Sequence, residues 1–415
     1  MTQYGANLCL FQAMLRYGTS PKHLFFLAML CHLWYNKGSL KQKGLQSMKR
    51  IIAFVLLVCL SLCACGNHQE APATTAVPTQ ATTEATTAAT ETVPGTTAGE
   101  VLYRHPLTGA ELTEPFTTRP VALVVGNSRG ALPQKGISKA DIIYEVETEG
   151  GINRLLAIFT DLENLGTVGP VRSARTYFNH LSTSYDAPLL HCGGSPNAKK
   201  GMYDQTHKLA KWNHIDQVSN GKYFFRDTDR KAQGYKTEHT LFTTGEKMMA
   251  GLDAKKFDMV VETGVEFGLH FADHPEMAGA TAKNIKIEFR GSRSTEMLYD
   301  EATGQYYATQ WFKNTKKTHV DAESGEQMNY RNVIVLLADQ WTAKEGKVTR
   351  SYYQLTGKGK GYFACDGKII PINWSHDKVT DSFQYTLEDG TPLVLGVGRS
   401  YIGIVCDSSG KVTYK

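Results

Sequence analysis

Arg172 and Arg175 stand three residues apart in Gly169-Pro170-Val171-Arg172-Ser173-Ala174-Arg175, a pattern that predicts a helix start with Ser173 as N-cap. Positive side chains are unfavourable there, because a helix N-terminus already carries about half a positive charge. Free backbone N–H groups, a hydroxyl and two guanidinium forks together make a receptor for phosphate or carboxylate. Arg154 and the Ser195 loop would complete such an anion site. A second reading needs no ligand. Glu145, Glu147 and Glu149 share one face if the predicted strand reaches that far, and they could neutralise Arg154, Arg172 and Arg175 in a structural ion-pair network. Both readings stand at the level of sequence.

Other chemistries have weaker support. Ser195 follows two glycines, as an exposed nucleophile would, but Gly193-Gly194-Ser195-Pro196-Asn197 breaks the GxSxG spacing, and proline does not suit that turn. His191, His207, His214 and His239 include no HExxH and no close pair, so no metal is assigned to them. Glycan or phosphodiester hydrolysis would draw its acid and base from Glu145, Glu149, Asp141, His191 or His239. Sugar cleavage requires two carboxylates about 5–9.5 Å apart. Gly357-Lys-Gly-Lys-Gly361 lacks the spacing of a phosphate-binding loop and reads as a β-turn.

Short apolar runs supply the elements that would carry these residues. Arg119–Asn127, Ala140–Thr148, Arg154–Thr160 and Pro188–Cys192 read as strands, the second and third forming a hairpin over Gly150-Gly151. Ala174, Tyr177, Phe178 and Leu181 mark one apolar helix face, and a second helix is expected over Asn197–Leu209. Alternating strands dominate the remainder: Asn284–Phe289, Gly304–Trp311, Val333–Leu337, Ser351–Thr356 and Pro392–Val397.

Upstream lies a secretory signal, Met48–Ala64, with Lys49-Arg50, an apolar run and Leu62-Cys63-Ala64-Cys65. The small residue before Cys65 makes that cysteine the expected site of diacylglycerol attachment. Residues 1–47 read as a start assigned too early. Residues 65–102 are rich in Thr, Ala and Pro and read as a disordered tether spanning roughly 30–35 Å. After processing, Cys192, Cys365 and Cys406 remain beside Cys65, and Cys365 with Cys406 could form a disulfide outside the cell. With no CxxC pair, redox catalysis and a cysteine-rich zinc site are not expected. The net charge of +5 and the lack of a basic, aromatic-interleaved stripe argue against nucleic-acid binding.

The blocks HPLTG (105–109), GISKADIIYEVETEGGINR (136–154), GPVRSARTYF (169–178) and HCGGSPNA (191–198) resemble signature segments of the YerB-like lipoprotein family. This bacterial family is built on a paired domain of unknown function. Glu238-His239-Thr240 resembles its His-Asn segment with Thr240 in place of Asn, and Cys192 stands where Ala is more familiar. Asn332-Val-Ile-Val335, Trp374 and Gly398-Arg-Ser-Tyr-Ile402 resemble its C-terminal domain, with Tyr401 in place of Trp. The expectation is an α+β chain: an N-terminal mixed α/β-type domain (103–250) with sheet and flanking helices, then a mostly antiparallel β domain (262–412). It would be anchored through Cys65 to the outer face of the cytoplasmic membrane and carry no cofactor. It would bind or scaffold an anionic or polar envelope component, such as a cell-wall polymer or an envelope protein. Hydrolysis of envelope glycan or a phosphodiester is the alternative. A purely structural partnership with membrane machinery is the third reading.

Overall fold

The computed structural model describes residues 103–203, 213–290 and 292–415. The upstream segment, signal, Cys65, tether, His207 and the far end of the second expected helix lie outside the described residues. The first half contributes five strands to the main sheet: β1 (Val121–Asn127), β2 (Ile142–Thr148), β3 (Ile152–Phe159), β4 (Leu189–His191) and β5 (His214–Asp216). Its helices are α1 (Thr176–Thr183), α2 (Pro196–Tyr203), α3 (Thr228–Ala232) and α4 (Gly245–Ala254).

The second half is built from strands: β6 (Asn284–Phe289), β7 (Arg293–Asp300), β8 (Gln305–Phe312), β9 (Asn332–Ala338), β10 (Gln340–Glu345), β11 (Val348–Tyr353), β12 (Gly357–Cys365), β13 (Lys368–His376), β14 (Ser400–Cys406) and β15 (Lys411–Tyr414). The expected α+β class, with helices confined to the first half and mostly antiparallel strands in the second, is what the chain adopts.

One sheet of eleven strands, counted among the described residues, crosses from one half to the other in the order β13-β12-β9-β14-β2-β3-β1-β4-β5, with two short strands beside β13. The seam is parallel on both sides of β14: Val333 pairs with Tyr401, and Gly403 with Glu145. Both faces of this sheet are covered, which explains why β1, β2 and β14 are buried throughout. On one face, Leu123, Ile143 and Leu155 pack with Ile285, Ile287 and Met297 of the second sheet, β8-β7-β6-β15. On the other, Val124, Tyr144 and Leu156 pack beneath Tyr177, Phe178 and Leu181 of α1.

The glycine run at 357–361 is not a turn. It opens β12, where Gly359 lies opposite Trp374 and Gly361 opposite Ile372. A Cβ on Gly359 would sit 2.3 Å from the Trp374 ring, and one on Gly361 2.4 Å from the Val335 carbonyl oxygen. The glycines are there for close approach within the sheet.

The proposed Cys365–Cys406 disulfide does not form, and all three described cysteines are free thiols. Ala364 faces Val333, which sets Cys365 level with Asn332, while Cys406 faces Ala338, so the two thiols lie near opposite ends of β9, about 20 Å apart along the strand. A bridge requires Cα atoms roughly 4.4–6.8 Å apart.

Candidate functional site

The β2–β3 register decides which carboxylates can meet which arginines. Val146 pairs with Arg154 and Glu145 with Leu155, so Arg154 shares its face with Tyr144, Val146 and Leu156, beneath α1. Glu145 and Glu147 point to the other side, toward the second sheet. Two of the three carboxylates expected to neutralise the arginines are therefore separated from them by the sheet itself. Glu149 falls just past the end of β2, in the turn with Gly150 and Gly151, and that freedom lets it come round to the arginine side.

There Glu149 holds two guanidinium groups. Arg175, 4% exposed, donates Nε to Glu149 Oε2 at 3.0 Å and Nη2 to Oε1, a bidentate pair. Its Nη1 donates to the Ala174 carbonyl at 2.7 Å. Arg350 of β11 donates Nη1 to the same Glu149 Oε1. Burial alone would raise the Glu149 pKa, but the Arg175 hydrogen bonds and charge, with Arg350, hold it at about 2. Arg172 reaches outward, donating to the Glu238 carbonyl at 2.8 Å, with the exposed Glu238 carboxylate 3.7 Å away. Its stem crosses β1 over Gly126, where a Cβ would lie 2.9 Å from Arg172 Cγ.

Arg154 is the outlier. It is 7% exposed, donates Nη1 to the Ser173 carbonyl, and forms no ion pair among the described residues. Burial, together with the charges of Arg175 and Arg172, outweighs the opposing influence of Tyr177 and Glu149 and lowers its pKa to about 9. Arg154, Arg172, Arg175 and Arg350 are thus gathered around one shared carboxylate and one exposed one. Sequence reasoning missed Arg350, although Glu345-Gly346-Lys347-Val348 is a hairpin signature that places it two residues from Tyr352 on one face.

Ser173 is not a helix cap. The helix begins three residues later, with Arg175 in the capping position and no side-chain cap bond, and Ser173 contributes its carbonyl to Arg154. Ser195 is the genuine cap: its hydroxyl accepts the Ala198 N–H at 3.3 Å at the start of α2, with Pro196 following. Being 1% exposed and so engaged, it is no nucleophile. Its loop nonetheless joins the arginine cluster through a bridge between Gly194 and Ala174.

The candidate acid–base residues are not brought together. Glu145, 1% exposed, accepts from Asn127 at 2.8 Å and Asn153 at 2.7 Å on Oε1, and from Thr295 at 2.6 Å and Tyr401 at 2.8 Å on Oε2. Four donors saturate it, and Tyr401 supplies the polar tip where the family resemblance led us to expect Trp. Glu149 is locked ionised by its arginines. His191 is fully buried; since the Gly193 carbonyl can only accept, Nδ1 carries the proton at 2.7 Å, and Nε2 accepts from His214 Nδ1 at 3.1 Å. Burial lowers its pKa. His239 lies apart, with Nε2 3.3 Å from the Glu238 carboxylate and Nδ1 without a partner. Asp141, its pKa raised by burial to about 6, accepts from the Thr160 hydroxyl and N–H. No group of three or more potential metal ligands converges among the described residues.

Residues 107–258 match the model described as "Protein of unknown function (DUF3048) N-terminal domain", and 285–402 match its C-terminal counterpart. The chain is 30% identical over 306 residues to "Putative lipoprotein YerB" of Bacillus subtilis (strain 168), covering 73% of this chain and 86% of that protein. The crystal structure of YerB protein from Bacillus subtilis matches with a TM-score of 0.61 at 28% identity, over 75% of this chain and 99% of that one. The resemblance carried by the four N-terminal blocks is borne out.

Proposed function

Because the chain belongs to the YerB-like family of paired DUF3048 domains, we propose that it is a lipid-anchored envelope protein that binds an anionic component of the cell surface. The binding site is the arginine cluster between the β2–β3 turn, the start of α1 and β11. Attachment at Cys65 follows from its lipobox and agrees with the lipoprotein name of the Bacillus relative.

The observation that carries the reading is Arg154. A buried guanidinium beside two further arginines, with no direct ion pair among the described residues and its neighbouring carboxylate Glu149 already bonded to Arg175 and Arg350, is costly to the folded state. Proteins keep such charge where a ligand supplies the counter-ion. The saturation of Glu145, the arginine lock on Glu149 and the burial of His191 remove the motive for a hydrolase.

The test uses the full chain in detergent with tripolyphosphate as a simple polyanion. The melting temperature is expected to rise with its concentration, by mass action, and to rise less at high salt. Arg172→Ala, at a half-exposed position, should weaken this response at least tenfold in concentration. A response identical in wild type and variant, or none in either, rejects the site.

A further inference from the structure

The β10–β11 hairpin projects beside the arginine cluster, and its register sets an aromatic pair on the same face as Arg350. Trp341 lies directly opposite Tyr352, and Ala343 opposite Arg350. The two rings stack with centroids 5.6 Å apart and planes 12° from parallel. Trp341 remains 45% exposed, so one face of the indole rests on Tyr352 while the other is open to solvent. What makes the exposure informative is that the indole is stacked as a platform beside a cationic cluster rather than standing alone.

Tyr352 is held rigidly. Its hydroxyl accepts from Asn197 Nδ2 at 2.7 Å and donates to Glu345 Oε1. Glu345 Oε2 in turn accepts the Asn197 N–H at 3.2 Å, at the start of α2. The platform is therefore preorganised by polar contacts rather than by an apolar core. Arg350 lies two residues along the same strand face, about 7 Å from Tyr352, and its Nε has no hydrogen-bond partner. Lys347 adds positive charge at the turn of the hairpin, while Glu345 is spent on Tyr352 and Asn197.

We propose that this hairpin and the arginine cluster form one binding surface for an acidic glycan, with a sugar ring stacked on Trp341 and its carboxylate or phosphate directed to Arg350 and the arginines beyond. The C–H groups of a pyranose face are weakly positive and complement the negative face of an indole. Small Ala343 leaves room between platform and guanidinium. A purely apolar partner would gain nothing from the adjoining cations, and a free anion would gain nothing from the indole. The inference rests on the anion-binding reading above and adds the chemical class of the ligand.

The experiment measures retention of the full chain, in detergent, on immobilised uronic-acid polymers, sugar-phosphate polymers, neutral dextran and polyglutamate. The expected result is binding to at least one acidic glycan, weakened tenfold or more by Trp341→Ala. Polyglutamate should bind more weakly and be indifferent to that substitution. Equal binding of polyglutamate, unaffected by Trp341→Ala, overturns the glycan proposal while leaving the anion site intact and points to an acidic protein. Dextran bound as tightly as the acidic polymers overturns the role of the arginines. No retention on any polymer overturns both readings.

Discussion

At the scale of single residues, two glutamates two positions apart, Glu147 and Glu149, are pushed in opposite directions by the face they occupy. Glu149 sits with Arg175 and Arg350, and its pKa falls from 4.5 to about 2. Its contribution to stability is therefore present above pH 4.5 and lost as pH falls toward 2. Glu149→Gln leaves Arg175 without its carboxylate and should cost about 3 kcal/mol at pH 7, the lower end for breaking a buried pair; urea unfolding should show the gap narrowing below pH 4.5. Glu147 lies on the other face with Oε2 unpartnered, and burial outweighs Arg290 and Arg293 in raising its pKa to about 7. Here the folded state holds the proton more tightly than the unfolded chain, so ionisation destabilises the fold as pH rises from 4.5 through 7. Glu147→Gln should therefore be more stable than wild type at pH 8 by about 1–3 kcal/mol. Thermal melts at pH 4 should find the two nearly equal. Sequence displayed these acids and the arginines plainly, but it took the hairpin register to separate them. Counting outward from Gly150, which pairs Thr148 with Ile152, would have set Arg154 opposite Val146 and away from Glu145 and Glu147.

At the scale of elements, strands were legible wherever an apolar or alternating run had clear punctuation. Asn284–Phe289 forms with its expected bounds, and the hairpin over Gly150-Gly151 is as anticipated. The start of α1 was misplaced because Ser173 looks like a cap, whereas its backbone continues extended and only Thr176 turns into helix. The glycine run at 357–361 was misread because local composition cannot show that Trp374 lies across from Gly359. Gly359→Ala should force the indole aside and cost about 1–3 kcal/mol, read as a lower melting temperature with a shift in tryptophan emission. The β10–β11 hairpin went unnoticed, although Gly346-Lys347 as a two-residue loop pairs Trp341 with Tyr352 by simple counting.

At the scale of the whole molecule, the two family-matched segments share one sheet through β14, and Glu145 ties the seam by accepting from Asn127 and Asn153 on one side and from Thr295 and Tyr401 on the other. Such long-range pairing leaves no mark in local sequence, which is why composition and punctuation suggested two domains side by side. The same assembly gathers Arg154 of β3, Arg172 and Arg175 of the segment leading into α1, and Arg350 of β11 into one region of excess positive charge, and that excess is the central claim about function. It is tested most directly by the unfolding free energy of Arg154→Met in the full chain without ligand. Replacing an uncompensated buried cation by an apolar side chain of similar length should leave stability unchanged or raise it, by up to about 2 kcal/mol. A loss of about 3–5 kcal/mol would instead mean that Arg154 is a paired structural charge, and would contradict the account.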